Sequence, residues 1–312
     1  MPNSAFKYVT GYADTTAPAT DLRGHSLLFT HIPKTAGTTF GNILHAVALA
    51  QKTPFLHAMG TIYGQFHGAG KGEAMQEVGR WPEAALHTRS YLSGHLPYGM
   101  HRVMKHPYFY VTMLRDPAAR LLSQYRFGMQ RGGWYEDASI SEVIQKGLLA
   151  DNLQTRMIAG LGNQATPCTT ETLKTAIQNL RSEYTIVGIS ERFDDTLKLM
   201  IALLGWPDIA YGKRQVTSNT PTLEQQEQAK KATRDFFAYD LELYAAACEL
   251  AETIAARMLK GDLHGSRRQS RVATCIPGTV EDGTDKALMS AEDFDRRILP
   301  MLRAQGDNVV FV

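Results

Sequence analysis

The sequence predicts an α/β fold of three layers, in which helices flank a central parallel sheet. Short apolar runs bounded by glycine or proline alternate along the chain with stretches that repeat apolar residues at helical spacing. Strands that alternate with helices favour a parallel sheet covered on both faces. Two of these strands run directly into residues that suit an anion, which indicates a binding site at the ends of the strands.

The first strand and helix are predicted within the segment HSLLFTHIPKTAGTTFGNIL. Ser26 to Thr30 is a compact apolar run, and apolar side chains recur at helical spacing from residue 38 onward. Backbone N–H groups at a helix start attract anions, and a glycine there permits close approach. An accidental turn is the alternative. The connecting segment therefore predicts a phosphate-binding loop that consists of Lys34, Thr35, Ala36, Gly37, Thr38 and Thr39.

The order of residues in this loop differs from that of nucleotide hydrolases. In those enzymes the pattern G-x-x-x-x-G-K-[ST] puts the lysine after the last glycine, whereas Lys34 comes three residues before Gly37. No apolar strand of the sequence ends in the acidic residue that would hold magnesium. We therefore expect a phosphate-binding loop of another kind, and no metal site.

A second junction of strand and helix lies in YFYVTMLRDPAARLLSQYRF. Tyr108 to Leu114 is aromatic and β-branched, and Asp116-Pro117 is typical of a helix start, with aspartate as the N-cap. Arg115 ends the strand, and Ser123 lies two turns into the helix. A guanidinium and a hydroxyl at one junction suit a second phosphate. The alternative is that the arginine pairs with a neighbouring carboxylate while the serine faces solvent.

The remaining elements follow from the same patterns. Further strands are predicted at residues 91–93 and 184–189, and a glycine-rich surface loop at 57–82. Further helices are predicted at 138–159, 169–182, 194–204, 222–260 and 291–304. The domain organisation predicted from these elements is a lead-in over 1–24, one domain over 25–260 and a C-terminal extension over 261–312.

Composition and cysteine usage narrow the class of protein. The net charge of +2 over 312 residues gives no general electrostatic case for a nucleic-acid partner. Cys168, Cys248 and Cys275 are far apart and odd in number, which argues against disulfides and structural zinc and favours a reducing cytoplasm. Residues 1–24 lack the apolar run of a signal peptide, and no segment reaches the ~18 apolar residues of a membrane span. We expect a cytoplasmic protein without a transmembrane segment.

The two junctions resemble the donor site of a known enzyme family. HIPKTAGTTF is similar to the 5′-phosphosulfate loop of sulfotransferases that use 3′-phosphoadenosine 5′-phosphosulfate (PAPS), and LRDPAARLLSQYRF is similar to their 3′-phosphate motif. The similarity is greatest to the branch containing the Golgi heparan sulfate 2-O- and 6-O-sulfotransferases and their bacterial relatives. It is strong over residues 25–45 and 89–131, and looser over 151–160, 184–200 and 239–247.

This resemblance implies a P-loop-like fold and an O-sulfotransferase that takes PAPS as its co-substrate and requires no metal. It implies that Lys34 contacts the bridge between phosphate and sulfate and that Thr35 to Thr39 wrap the 5′ end. Arg115 and Ser123 would hold the 3′-phosphate. By analogy with phosphoryl transfer, charge builds up on the leaving phosphate oxygen. A cation there is expected to contribute ~3 kcal/mol, and Lys34 is the candidate.

An acceptor hydroxyl needs a base, and His95 in YLSGHLPYG is the candidate. It follows a predicted strand, and a histidine in a similar Gly-His context acts as the base in the branch that the motifs resemble. The alternatives are a core histidine bound to a backbone carbonyl and, for the base itself, a carboxylate as in other sulfotransferase branches. His31 lies inside the anion loop and is expected to support its shape. No spacing such as H-E-x-x-H indicates a metal site.

Polar residues elsewhere are candidates for the acceptor cleft. Asn152, Gln154 and Arg156 alternate in DNLQTRM, with helix-surface polarity as the alternative. Tyr98 could pack on a sugar or acyl chain, or only close its loop. The expected acceptor is a hydroxylated small molecule, a sugar or a carrier-bound intermediate. A non-catalytic nucleotide-binding module and a nucleotide or metabolite kinase are the alternative functions.

Overall fold

A computed structural model describes residues 6–9, 22–58, 87–102, 104–130, 135, 138–161, 166–206, 208–212, 221–259, 271–275 and 288–290. The strands in these residues are β1 (Phe6–Val9), β2 (Ser26–Thr30), β3 (Phe55–Ala58), β4 (Tyr91–Gly94), β5 (Tyr108–Leu114), β6 (Tyr184–Ile189), β7 (Asp208–Gly212), β8 (Arg271–Cys275) and β9 (Leu288–Ser290). The helices are α1 (Gly37–Ala50), α2 (Pro117–Gln130), α3 (Ile140–Gln145), α4 (Leu153–Ala159), α5 (Thr170–Ser182), α6 (Phe193–Leu204), α7 (Leu223–Phe236) and α8 (Ala238–Leu259).

The central sheet has five strands in the order β3-β4-β2-β5-β6, and every neighbouring pair is parallel. Helices α1 and α6 pack in the apolar cluster on one face of the sheet. Helices α4, α5 and α8 pack in the cluster on the other face. The predicted three-layer α/β fold is therefore confirmed. Because the strands are parallel, the predicted anion-binding residues that follow them meet at one edge of the sheet.

Strand β2 occupies the centre because its side chains are apolar on both faces. Leu27 and Phe29 belong to one cluster and Leu28 to the other, and all three side chains are fully buried. Burying a side chain of this size contributes about 1.5–3 kcal/mol. The loop that follows β2 is thus anchored on the most deeply buried strand.

Two of the predicted helices are each divided into two. Residues 138–159 form α3 and α4, and residues 222–260 form α7 and α8, with Phe237 at φ −129° between the latter pair. The second break has a packing reason. Phe237 packs with α2 and α3 in a third cluster, whereas Leu243 of α8 packs against the sheet. Strands β3 and β7 were not predicted.

A second sheet of four strands involves segments from both ends of the chain. In the order β1-β7-β8-β9, strand β7 pairs antiparallel with β1 and parallel with β8, and β8 pairs antiparallel with β9. The predicted lead-in thus contains a strand and the predicted extension contains two, while the domain boundaries stay a prediction. The predicted helix at 291–304 and most of the predicted loop at 57–82 lie outside the described residues. Among the described helices, none is both long and apolar enough to cross a membrane.

Candidate active site

The loop between β2 and α1 has a backbone shape suited to an anion. Lys34 and Ala36 both adopt left-handed conformations, with φ of 68° and 63°. Turns that contain left-handed residues can direct several N–H groups to one side and so form an anion-binding concavity. The Thr35 hydroxyl donates to the Ile32 carbonyl at 2.8 Å, which fixes the turn from inside. Ala36 is the N-cap of α1 and makes no side-chain cap bond to the first N–H groups of the helix.

Gly37 is required by the close approach of a histidine ring. A Cβ atom at position 37 would lie 1.9 Å from Cδ2 of His31, closer than any two unbonded heavy atoms can come. His31 is 3% exposed, and its N–H donates to the Gly94 carbonyl at 2.9 Å. The His31 ring therefore packs directly against the start of α1, in the supporting position expected for it.

Gly37→Ala is expected to lower the free energy of unfolding by about 1–3 kcal/mol, because the added methyl group must displace the His31 ring. Urea denaturation of the parent and the variant measures this loss. Gly24→Ala is the matched control, since a Cβ at position 24 meets nothing within 4 Å. An unchanged denaturation midpoint for Gly37→Ala would contradict the packing described above.

The structure brings the two predicted anion-binding junctions together. Nη1 of Arg115 donates to the Lys34 carbonyl at 3.1 Å. The Lys34 ammonium lies over the ring of Phe127 in α2, at 4.1 Å from its centroid. A cation–π contact of this kind contributes about 0.5–2 kcal/mol. The residues proposed for the two ends of one nucleotide thus contact each other rather than opening into separate clefts.

Helix α2 turns one face toward this loop. Ser123 and Phe127 are one helical turn apart and therefore share a face, and Phe127 contacts Lys34. Ser123 is partly exposed on that face, as is Thr39 on α1, and Thr38 is exposed. Sequence reasoning missed Phe127, although its spacing from Ser123 was the signal that could have found it.

Arg115 also has the carboxylate neighbour that the sequence left open as an alternative. Its Nε lies 3.6 Å from Oε1 of Glu191, and the two side chains are 32% and 39% exposed. An ion pair this exposed contributes about 0–1 kcal/mol, so a phosphate dianion can compete for the guanidinium. Asp116 caps α2 as predicted, since its Oδ1 accepts from the Ala119 N–H at 2.8 Å.

The fully buried side chain of Gln154 binds the main chain of Arg115. Its Oε1 accepts from the Arg115 N–H at 2.9 Å, and its Nε2 donates to the Arg115 carbonyl at 3.0 Å. Its amide is therefore used within the protein, at the point where β5 ends. The sequence made Gln154 a candidate for the acceptor cleft, with helix-surface polarity as the alternative, and did not predict this contact.

Asn152 and Arg156 are likewise engaged inside the protein. Oδ1 of Asn152 accepts from the Asp240 N–H at 3.1 Å, and Nε of Arg156 donates to Oδ1 of Asp151 at 3.0 Å. Both side chains are at most 5% exposed. Helix-surface polarity is therefore the wrong explanation for DNLQTRM. A direct contact of these residues with an acceptor stays a prediction.

His95 follows the last residue of β4, next to the loop of β2. Thr30 and Gly94 are partners in the parallel ladder, so His31 and His95 continue from neighbouring strand ends. Their ring centroids are 4.5 Å apart, in an edge-to-face arrangement, and His95 is 2% exposed. The proposed base is thus separated from Gly37 of the predicted phosphate-binding loop by the imidazole ring of His31. Its role as a base stays a prediction.

Tyr98 is held by the loop that follows β4. Its N–H donates to the Met157 carbonyl at 2.8 Å, and its ring centroid lies 5.2 Å from that of Tyr110. Burial, together with the nearby Glu183 carboxylate, raises the pKa of Tyr98 to about 12. These contacts favour the loop-closing role, and the predicted contact with a sugar or acyl chain is untested.

Among the described residues, no group of three or more His, Cys, Asp or Glu side chains could hold a metal ion.

Comparison with known proteins agrees with this arrangement. Residues 20–245 match the sulfotransferase family, a span that includes both junctions, His95 and Gln154. The chain is 24% identical over 272 residues to heparan sulfate 2-O-sulfotransferase 1 of Homo sapiens, covering 76% of this chain and 74% of that protein. The same enzyme of Mus musculus is 23% identical over 271 residues and that of Gallus gallus 23% over 273, with the same coverage. The resemblance read from the two motifs is confirmed, and the chain belongs to the sulfotransferase family.

Proposed function

We propose that the protein transfers the sulfuryl group of PAPS to a hydroxyl group of a carbohydrate or a small hydroxylated metabolite. The observation that carries this proposal is the hydrogen bond from Arg115 to the Lys34 carbonyl, which joins the two predicted anion-binding junctions at one edge of the sheet. PAPS carries a phosphosulfate at one end of its ribose and a phosphate on the 3′ oxygen. A single ligand of this kind uses both junctions at once.

In the proposed reaction the acceptor oxygen attacks sulfur while the bond from sulfur to the phosphate oxygen breaks. The acceptor proton passes to an imidazole nitrogen of His95, and a base in this role typically contributes about 10²- to 10⁴-fold. The leaving phosphate oxygen gains negative charge, which the Lys34 ammonium and the loop N–H groups stabilise. Arg115 and Ser123 bind the 3′-phosphate and so orient the donor.

A sugar hydroxyl is the acceptor class that the relatives favour, since they are named for 2-O-sulfation of heparan sulfate. The net charge of +2 gives this chain little general attraction for a highly anionic polymer. We therefore propose a small or carrier-bound sugar, or a hydroxylated metabolite, as the acceptor. The cytoplasmic location expected from the sequence belongs to the same proposal.

The direct test is transfer of radioactive sulfur from PAPS to a panel of sugars, glycolipids and hydroxylated metabolites. We expect label in at least one acceptor, and we expect transfer to continue in EDTA because the loop lacks the Walker order of residues. A nucleotide or metabolite kinase would instead require Mg²⁺ and would move phosphate from ATP. A non-catalytic nucleotide-binding module would bind the donor and label nothing.

Thermal stability offers a second test that needs no acceptor. The product 3′-phosphoadenosine 5′-phosphate (PAP) is expected to raise the melting temperature more than AMP or ATP at equal concentration. Only PAP places a phosphate at both junctions, and tighter binding to the folded state gives a larger stabilisation. Equal shifts for PAP and AMP would show that the 3′-phosphate is not recognised.

A further inference from the structure

A buried carboxylate caps helix α4 from outside that helix. Asp240 of α8 is fully buried and accepts from the Thr155 N–H at 2.8 Å, the Thr155 hydroxyl at 2.9 Å and the Gln154 N–H at 3.3 Å. The residue at the N-cap position, Asn152, has φ of 45° and makes no side-chain cap bond. A helix start leaves its first N–H groups without partners inside the helix. Asp240 supplies the hydrogen-bond acceptor that the residue at the N-cap position does not provide.

The same helix start fixes the end of strand β5. The ladder between β5 and β6 ends at the pair Leu114 and Ile189, so Arg115 is the first residue beyond it. There the Gln154 amide binds both the N–H and the carbonyl of Arg115, as a neighbouring strand would. Two hydrogen bonds in a fully buried setting define the position of the main chain from which the guanidinium extends.

Asp240 also feels the charge of Arg120, a buried residue of the helix that carries Ser123. Arg120 of α2 is 3% exposed, and burial lowers the pKa of its guanidinium while the charge of Asp240 opposes that change. Burial raises the pKa of Asp240, and the charge of Arg120 opposes it in turn. Two buried groups of opposite charge compensate each other, so neither can move or be removed without cost.

We propose that Gln154 is a positioning residue for Arg115, and that Asp240 supports it by binding the Gln154 and Thr155 N–H groups at the start of α4. The inference rests on the proposed function, in which Arg115 and Ser123 bind the 3′-phosphate. The buried network then determines how strongly the protein distinguishes a nucleotide with a 3′-phosphate from one without. Affinity for the 5′ end, which the loop after β2 provides, is expected to change less, because Arg115 contacts that loop only through the Lys34 carbonyl.

The test is the ratio of the AMP dissociation constant to the PAP dissociation constant, measured by calorimetry. In Gln154→Met, which keeps the length of the side chain and removes both hydrogen bonds, we expect this ratio to fall about tenfold. That is the order expected when a charge-assisted hydrogen bond to phosphate is misplaced. Gln154→Glu keeps the acceptor for the Arg115 N–H and loses the donor, and an intermediate ratio is expected.

Asn179→Leu is the matched control, because Asn179 is another buried amide, 9% exposed, whose Nδ2 donates to the Ile158 carbonyl at 2.9 Å. We expect it to lower the melting temperature but to leave the ratio at the parent value. If both Gln154 variants are less stable yet keep the parent ratio, the network is only structural and the proposal is overturned. A parent protein that binds PAP no better than AMP overturns the proposed function itself, which separates the two failures.

Discussion

Lys34→Ala is expected to lower turnover about 100-fold or more and to weaken PAP binding about tenfold. The ammonium is the proposed partner of the oxygen that gains charge in the transition state, and removing one such donor costs roughly 10²- to 10³-fold in rate. In the product the same oxygen belongs to the 5′-phosphate, so one charge-assisted hydrogen bond is lost from the bound state as well. Initial rates with labelled PAPS and calorimetry with PAP measure the two effects.

Lys34→Ala should remove the ammonium group without displacing Arg115. Arg115 contacts the Lys34 carbonyl, which alanine keeps, so the second junction should stay in place. Lys52→Ala is the matched control, because Lys52 is an exposed lysine that also has a positive φ, of 51°. It should leave turnover and PAP binding unchanged. Parent-like turnover in Lys34→Ala would remove the lysine from the mechanism.

His95→Gln is expected to lower turnover about 10²- to 10⁴-fold while PAP binding stays at the parent value. Glutamine fills much of the space of the imidazole and keeps polar atoms, but it cannot take the acceptor proton. His95 packs edge-to-face on the His31 ring, and we expect the donor site to survive the change because glutamine fills a similar space there. The turnover number and the PAP dissociation constant together measure this separation.

His106→Gln is the control for the loss of an imidazole, since His106 precedes β5 and so lies toward the opposite edge of the sheet. It should affect neither quantity. Undiminished turnover in His95→Gln would favour a carboxylate base instead. Loss of PAP binding together with turnover would mean that His95 supports the loop and does not act on the acceptor.

Local signals in the sequence were sufficient for the elements that carry the site. The apolar runs of β2 and β5, the anion loop and the Asp116 cap all depend on residues within a few positions of one another, and each was predicted. The break at Phe237 was not, because it depends on which cluster that side chain enters. Strands β3 and β7 are short, and their pairing is decided by segments distant in the chain.

The roles of polar residues were harder to predict, because they too depend on partners that lie far away in the chain. A glutamine in a helical stretch can face solvent, a ligand or the core, and nothing within DNLQTRM distinguishes these outcomes. The partner of Gln154 is Arg115, 39 positions away, and that of Thr155 is Asp240, 85 positions away. Only the folded chain brings such groups together. The resemblance to PAPS-dependent enzymes covered the donor motifs and gave no role to this network.

The contact between Lys34 and Phe127 also bears on how a donor reaches the protein. An aromatic ring attracts a cation through its quadrupole and brings no net charge, so at a distance it takes little from the positive potential of the ammonium. A carboxylate in the same place would cancel much of that potential at a distance. The encounter of a multiply charged nucleotide with this edge of the sheet should therefore be accelerated electrostatically, and its association rate should fall as ionic strength rises.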